Sequence, residues 1–428
     1  LLSEAVDNQG VILADLGTVV LASGEKMTLA LDDLNDISVV IDEAVKEKVF
    51  GPDGQFNSAI KNSGTIQADG GKVILTAKVL NDVFDYAINN TGLIQAKSLV
   101  EHDGVVELIA DNAPVINIGK MEAGKVNIKV RNSDFINKGD IVSNGSQSLI
   151  NGGKVLIDAA RILQQGLISA NAFGAGKAGQ ITIISDDSSV LDSNSRTEAK
   201  ALGLTGEGGR ITIGSRNGNT LVKNGAILDV SGGQESGNAG IGDISAYKQL
   251  GFYGIFNGRA PPGYIGANLN LRTDLPYDPA LLNTYSIEIS ADILAENISI
   301  YSNQRVSIDG TLTAYDTIKV TSQGSDFLGT ISCKNGIYNA NNGDTFIAGI
   351  YFGNHTWINL HNIFVIGPLT VFGDIRLLAG DNIVIALASV DAAGLLGDTS
   401  IDLIAGDDIL ITDSRVWAES ALGDAGLN

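Results

Sequence analysis

Apolar residues recur at alternate positions in short runs along this chain, and one such run returns repeatedly. The phrase is a small residue, a glycine, a variable position and then alternating apolar residues. It reads LGTVVLAS (16–23), GGKVILTA (70–77), AGKVNIKV (123–130), GGKVLIDA (152–159), AGQITIIS (178–185) and GGRITIGS (208–215), with looser copies at Gly104 and Gly242. The equivalent apolar residues are Val19, Val73, Val106, Val126, Val155, Ile181, Ile211 and Ile244. Their spacings are 54, 33, 20, 29, 26, 30 and 33. Period-two alternation puts one face of a short strand into a core.

A second phrase, Asn/Gln-x-Gly-x-Ile, precedes most copies: NQGVI (8–12), NSGTI (62–66), NTGLI (90–94), NKGDI (137–141) and QQGLI (164–168), with KNGAI (223–227) as a one-place variant. Each unit therefore reads as two short strands with an elastic connection. Glycine is expected to supply positive φ at the corner. Asparagine tolerates the same region, and stacked Asn side chains can form ladders. A unit of 20 to 33 residues cannot bury an apolar face alone, but stacked units share a continuous core. The reading is all-β: a right-handed parallel β-helix, or solenoid. A propeller would need units of roughly 40 residues or more.

Residues 1–245 carry these repeats, interrupted by an excursion at 31–58. Within it DEAVKEKVF (42–50) predicts a short amphipathic helix, near 41–50, stopped by the turn GPDG (51–54). From about Tyr285 the phrasing changes while the period persists. IDLIAGDDILI (401–411) matches IRLLAGDNIVI (375–385) at a shift of 26, and ISIYSNQRVSI (298–308) has the same skeleton, so 285–428 continues the solenoid. Between them, 246–284 holds four of the seven prolines and many aromatics. Proline does not fit a stacked central strand, so this stretch is expected to leave the stack as an insertion or junction.

Charge narrows the function. With 49 acidic and 28 basic residues the net charge is -21, which disfavours nucleic acid and anionic lipid as partners. No apolar run approaches the roughly 20 residues of a membrane span. The single cysteine, Cys333, rules out an internal disulfide and zinc sites built on cysteine pairs. The chain enters directly into repeat-like sequence and reads as a fragment of a longer protein.

The run LADLGTVVLASGEKMTLAL, then ISVVIDEAV, IKNSGTIQADGGKVILTAKV and INNTGLIQA, within 13 to about 108, resembles the filamentous-haemagglutinin-like exoproteins of two-partner secretion, in the segment after the amino-terminal secretion domain. Beyond it the likeness is to β-helix repeats in general. The resemblance implies export of the full-length protein through an outer-membrane barrel transporter, an extracellular or cell-surface location, and adhesion. The Asn-Pro-Asn motifs of that family's secretion signal are absent; no Asn-Pro pair occurs.

β-Helices also carry polysaccharide lyases and glycoside hydrolases, so paired carboxylates were weighed: Asp32/Asp33, Asp186/Asp187 and Asp407/Asp408. A carboxylate at a repeated corner reads as a turn residue bonding its own backbone, and catalysis is not expected. The alternative is a polysaccharide-processing β-helix enzyme. No cofactor is expected; the GDD and GDN corners offer calcium oxygens, without the nonapeptide repeat of calcium-bound β-rolls. His355 and His361 read as loop or surface residues. Phe252, Tyr253, Phe256, Tyr264 and Tyr277, together with Trp357, are the candidate ligand-binding residues, because rigid aromatic platforms suit glycan or protein partners.

Overall fold

The computed structural model describes residues 1–31, 37–51, 54–281, 284–386, 388–394, 399–412, 414–420 and 425–427. The chain divides into two compact units. Unit 1 comprises Leu1–Asn217, Gly225–Ile241 and Ala260–Tyr264; unit 2 comprises Gly218–Asn224, Gly242–Arg259 and Ile265–Asn428. Each is built from parallel strands stacked coil on coil as a parallel β-helix.

In unit 1 the phrase copies stack in the register that the sequence spacing implies. Val19 pairs with Val73, Val73 with Val106, Val106 with Val126, Val126 with Val155, Val155 with Ile181, and Ile181 with Ile211. All are buried. Each coil carries three strand segments rather than two, for example Lys72–Lys78, Tyr86–Asn90 and Leu93–Ala96. The middle segment was hidden because its few residues share no recurring phrase beyond their final Asn.

That Asn marks the corner between the second and third segments. Asn8, Asn62, Asn90, Asn117, Asn137 and Gln164 are buried. Their amides form a ladder in which Asn8 Nδ2 donates to Asn62 Oδ1, and so on to Gln164 Oε1, every link being 2.8 Å. Inside a core each link both satisfies a polar group and fixes the register of the next coil.

The following glycine column serves close approach, not the positive φ expected. Gly64, Gly92, Gly119, Gly139 and Gly166 do not have positive φ. A Cβ on Gly92 would lie 2.1 Å from the Gly64 carbonyl oxygen, and one on Gly119 would lie 2.1 Å from that of Gly92. Coils at strand spacing leave no room there for a side chain.

The helix expected near 41–50 does not form. Ile37–Glu43 is a strand paired antiparallel with Lys26–Leu31, and Val45 makes a parallel bridge to Val79. Of the apolar positions that suited a helix face, Val45 is buried, whereas Phe50 is exposed. Pairing with existing strands outweighs a short helix's weak propensity.

In unit 2, Ile375 pairs with Ile401 and Ile383 with Ile409, as the 26-residue shift implied. The stretch 246–284 is not a wholesale departure. Leu250–Phe252, Ile255–Asn257 and Asn268–Thr273 are strands in parallel register with Ile287–Ile289, Asp292–Leu294 and Asn297–Tyr301. The four prolines lie outside those strands, as their missing N–H requires.

Two substitutions test the stack. Asn90→Leu severs two ladder links and leaves neighbouring amides unsatisfied, and should cost about 1–3 kcal/mol. Gly92→Ala should cost at least as much through backbone overlap. Thermal or denaturant unfolding checks both, with an exposed control such as Lys177→Gln expected to be neutral.

Candidate functional site

The six aromatic candidates separate by burial. Phe252, Phe256 and Trp357 are core residues, each at most 1% exposed, so none of them offers a platform. Phe252 ends an inward-facing position of Leu250–Phe252, and Phe256 fills the space beside Gly242. Trp357 belongs to the buried row Ile300–Val320–Tyr338–Trp357–Leu377. Tyr264 and Tyr277 are exposed, at 44% and 39%. Tyr253 lies between these extremes, and its hydroxyl donates to Glu288 at 2.8 Å.

His355 is buried, not on the surface as expected. It shares the inward face with Trp357 and belongs to an aromatic cluster. Tyr338 stacks on Trp357 at 5.0 Å, and Tyr351 meets His355 edge-on at 5.2 Å. Tyr338 Oη lies 2.9 Å from His355 Nδ1, in space opened by Gly336. Burial lowers the His355 pKa to about 4, against the opposing pull of the Phe352 carbonyl. His361 stays partly exposed beside Asp381.

Asp186 shares Arg216 with Asp158, at 2.9 and 2.8 Å. At the Asp407/Asp408 corner the backbone N–H groups donate to Asp381 O and Asn382 Oδ1 of the preceding coil. Asp32/Asp33 lie outside the described residues. Among the described residues no three His, Cys, Asp or Glu side chains converge on a metal position.

The site with the best ligand geometry lies in unit 2, beside the predicted aromatic stretch. Tyr285 stands between two adjoining hollows of about 370 and 190 Å³. Asn219, Gln249 and Ser286 line both. Leu275, Leu281 and Lys248 border the larger one, while Tyr253 and Glu288 border the smaller. Tyrosine walls the groove on either side because two successive coils place Tyr253 and Tyr285 next to one outward row. In that row Gly251, Glu288, Ser307, Asp326, Phe346 and Phe364 lie in register. Gly251 leaves the space into which the Tyr253 ring packs.

The groove's polar groups are held in place. Tyr285 Oη donates to Asp326, which also pairs with the nearly buried Arg305. The Arg305 guanidinium lies over the rings of Tyr285 and Phe346, at 5.8 and 5.2 Å. Burial, then Glu288, pushes the Tyr253 hydroxyl up to about 12, so it remains a donor at neutral pH. Gln304, buried at the floor, donates Nε2 to Pro276 O at 2.9 Å, and its Oε1 is buried without a partner. Flipping this amide would set two acceptors against each other, so the free acceptor is fixed. Flat rings, fixed amides and a waiting acceptor suit a hydroxyl-rich ligand.

Tyr285, Gln304 and Arg305 were not among the sequence candidates. Gln304 and Arg305 are the QR of YSNQRVSI, which reads as an ordinary corner until the coils are stacked, and Tyr285 stands at the border of the aromatic stretch. Unit 1 has a larger hollow, about 900 Å³, in which Asp69, Lys97, Lys120 and Glu122 already have partners. Glu122 pairs with Lys97 and Lys120 at 3.3 and 2.7 Å, and Asp69 accepts the Lys97 backbone N–H.

No family model, curated protein or solved structure matches this chain. No helix among the described residues is long and apolar enough to cross a membrane.

The buried imidazole gives a pH dependence with a definite sign. An unfolded His titrates near 6.5 and His355 near 4, so between those values the unfolded state binds more protons. The stability contributed by neutral His355 is complete above about pH 6.5 and is lost as pH falls through 4, by at most ~3 kcal/mol. Unfolding midpoints at pH 7.5 and 4.5 should differ more for the native chain than for His355→Leu.

Proposed function

We propose that this chain is part of an exported bacterial surface exoprotein that binds glycans, an adhesive or structural segment with no catalytic role. The observation that carries the reading is the tyrosine-walled groove of unit 2, with its unsatisfied Gln304 acceptor. In the smaller hollow a sugar ring presents C–H faces to Tyr253 and Tyr285 and hydroxyls to Asn219 and Gln249, while the next sugar, in the larger hollow, faces Gln304. These are the contacts by which aromatic and amide side chains orient a ligand. Export through an outer-membrane barrel and an extracellular location rest on the resemblance of the first hundred residues to filamentous-haemagglutinin-like exoproteins. Protein ligands on host or matrix surfaces are the other partners that resemblance implies.

An enzymatic reading has one specific observation behind it. Glu288 and Asp326 occupy the same outward row two coils apart, about 10 Å along the backbone at ordinary strand spacing. Inverting glycosidases hold their carboxylates near the short side of that separation. Here each carboxylate is tied to a tyrosine hydroxyl, and Asp326 to Arg305 as well. That arrangement favours holding over proton transfer.

A glycan array followed by calorimetry on the best binder is the direct test. Tyr253→Ala should weaken binding about tenfold, the equivalent of one lost aromatic contact and its burial, with the melting temperature little changed. Unaltered affinity would remove the groove from the reading. Release of reducing or unsaturated ends, abolished in Glu288→Gln, would replace binding by catalysis.

A further inference from the structure

Unit 1 carries a basic strip that its overall acidity does not lead one to expect. Lys125 and Lys154 are in direct register on adjacent coils, and Lys129 lies on the same strand as Lys125 and the same outward face. All three are exposed. None has an ion-pair partner among the described residues. They border a shallow groove of about 500 Å³, whose floor includes Asn127, Leu156 and Thr182. The groove's two carboxylates are paired from outside it: Glu107 with Lys72 at 3.2 Å, and Asp158 with Arg216 at 2.8 Å, a guanidinium that Asp186 shares. With Asp186 counted against Arg216, a local surplus of two positive charges therefore stands on a chain of net charge -21.

A second observation points to a ligand. Asn127 lies between Lys125 and Lys129, and its Nδ2 donates to Glu107 at 3.3 Å. Its Oδ1 is buried without a partner. Asn127 and Thr182 place polar groups in the groove beside the lysines, which suits a ligand with both hydroxyls and anionic groups.

We infer that this strip binds a linear polysaccharide bearing about one carboxylate per sugar, laid along the stacked coils. Lysines one coil apart stand about 4.8 Å from each other at the backbone. They match anions repeating along a polymer, while Asn127 and Thr182 meet hydroxyls between them. Nucleic acid is disfavoured because no aromatic side chain borders this groove for bases to stack on. Its dense phosphates would also face the chain's overall negative field. A bilayer is disfavoured because three lysines fall short of the roughly four to eight that recruit anionic lipid. The strip goes beyond the tyrosine groove's reading and does not depend on it.

Binding of polygalacturonate to the whole chain, followed by interferometry at two salt concentrations, tests the inference. Neutral dextran, dextran sulfate and duplex DNA serve as comparators. The expected result is polygalacturonate binding that weakens with salt and falls about tenfold or more in K125Q/K154Q. It should persist in K125R/K154R and Lys177→Gln, with melting temperatures unchanged throughout. Absence of polygalacturonate binding, or binding indifferent to K125Q/K154Q, would overturn it. So would tighter binding of dextran sulfate or DNA, which would make the strip a general polyanion surface.

Discussion

Everything in this molecule depends on backbone hydrogen bonding between coils stacked at one strand spacing. A coil of two or three short segments cannot pair its own N–H and C=O groups, nor bury its own apolar face. Each requirement is met only by the coils above and below. The buried amide ladder from Asn8 to Gln164 and the glycine column from Gly64 to Gly166 are consequences of that spacing. The ladder exploits the short repeat, and the glycines yield to it.

The same constraint makes surfaces. Stacking turns any residue at a given outward position into a row, so a feature too slight to notice in one coil becomes a strip or wall across several. Lys125 and Lys154 become a cationic strip in unit 1. In unit 2, Tyr253 and Tyr285 become opposing walls beside a carboxylate row, with Arg305 wedged between rings. Inward rows behave in the same way: Tyr338 and Trp357 fill one core row, and the burial of His355 beside them lowers its pKa.

Recurrence was the legible part. Because identical phrases must stack, the recurrence of Val19 as Val73 and Val106 carries their register in unit 1. The 26-residue shift did the same for Ile375 and Ile401. The Asn of the second phrase announced its ladder. Features that do not recur were misread. The 42–50 segment has helical spacing, but it lies against strands that offer better pairing. The prolines of 246–284 sit in connections, while the apolar residues between them continue the coils.

The sequence by itself determined that the chain is a stack of parallel β-coils, because the period of its phrases and the alternation within them permit no other economical burial. Only the tertiary structure decided which aromatics face inward. Phe252 and Tyr253 are neighbours in sequence, yet one is core and the other a groove wall, because adjacent strand positions point to opposite faces. The site residues the sequence did not single out, Tyr285, Gln304 and Arg305, come together across coils. Their proximity is created by stacking and leaves no trace in any single repeat.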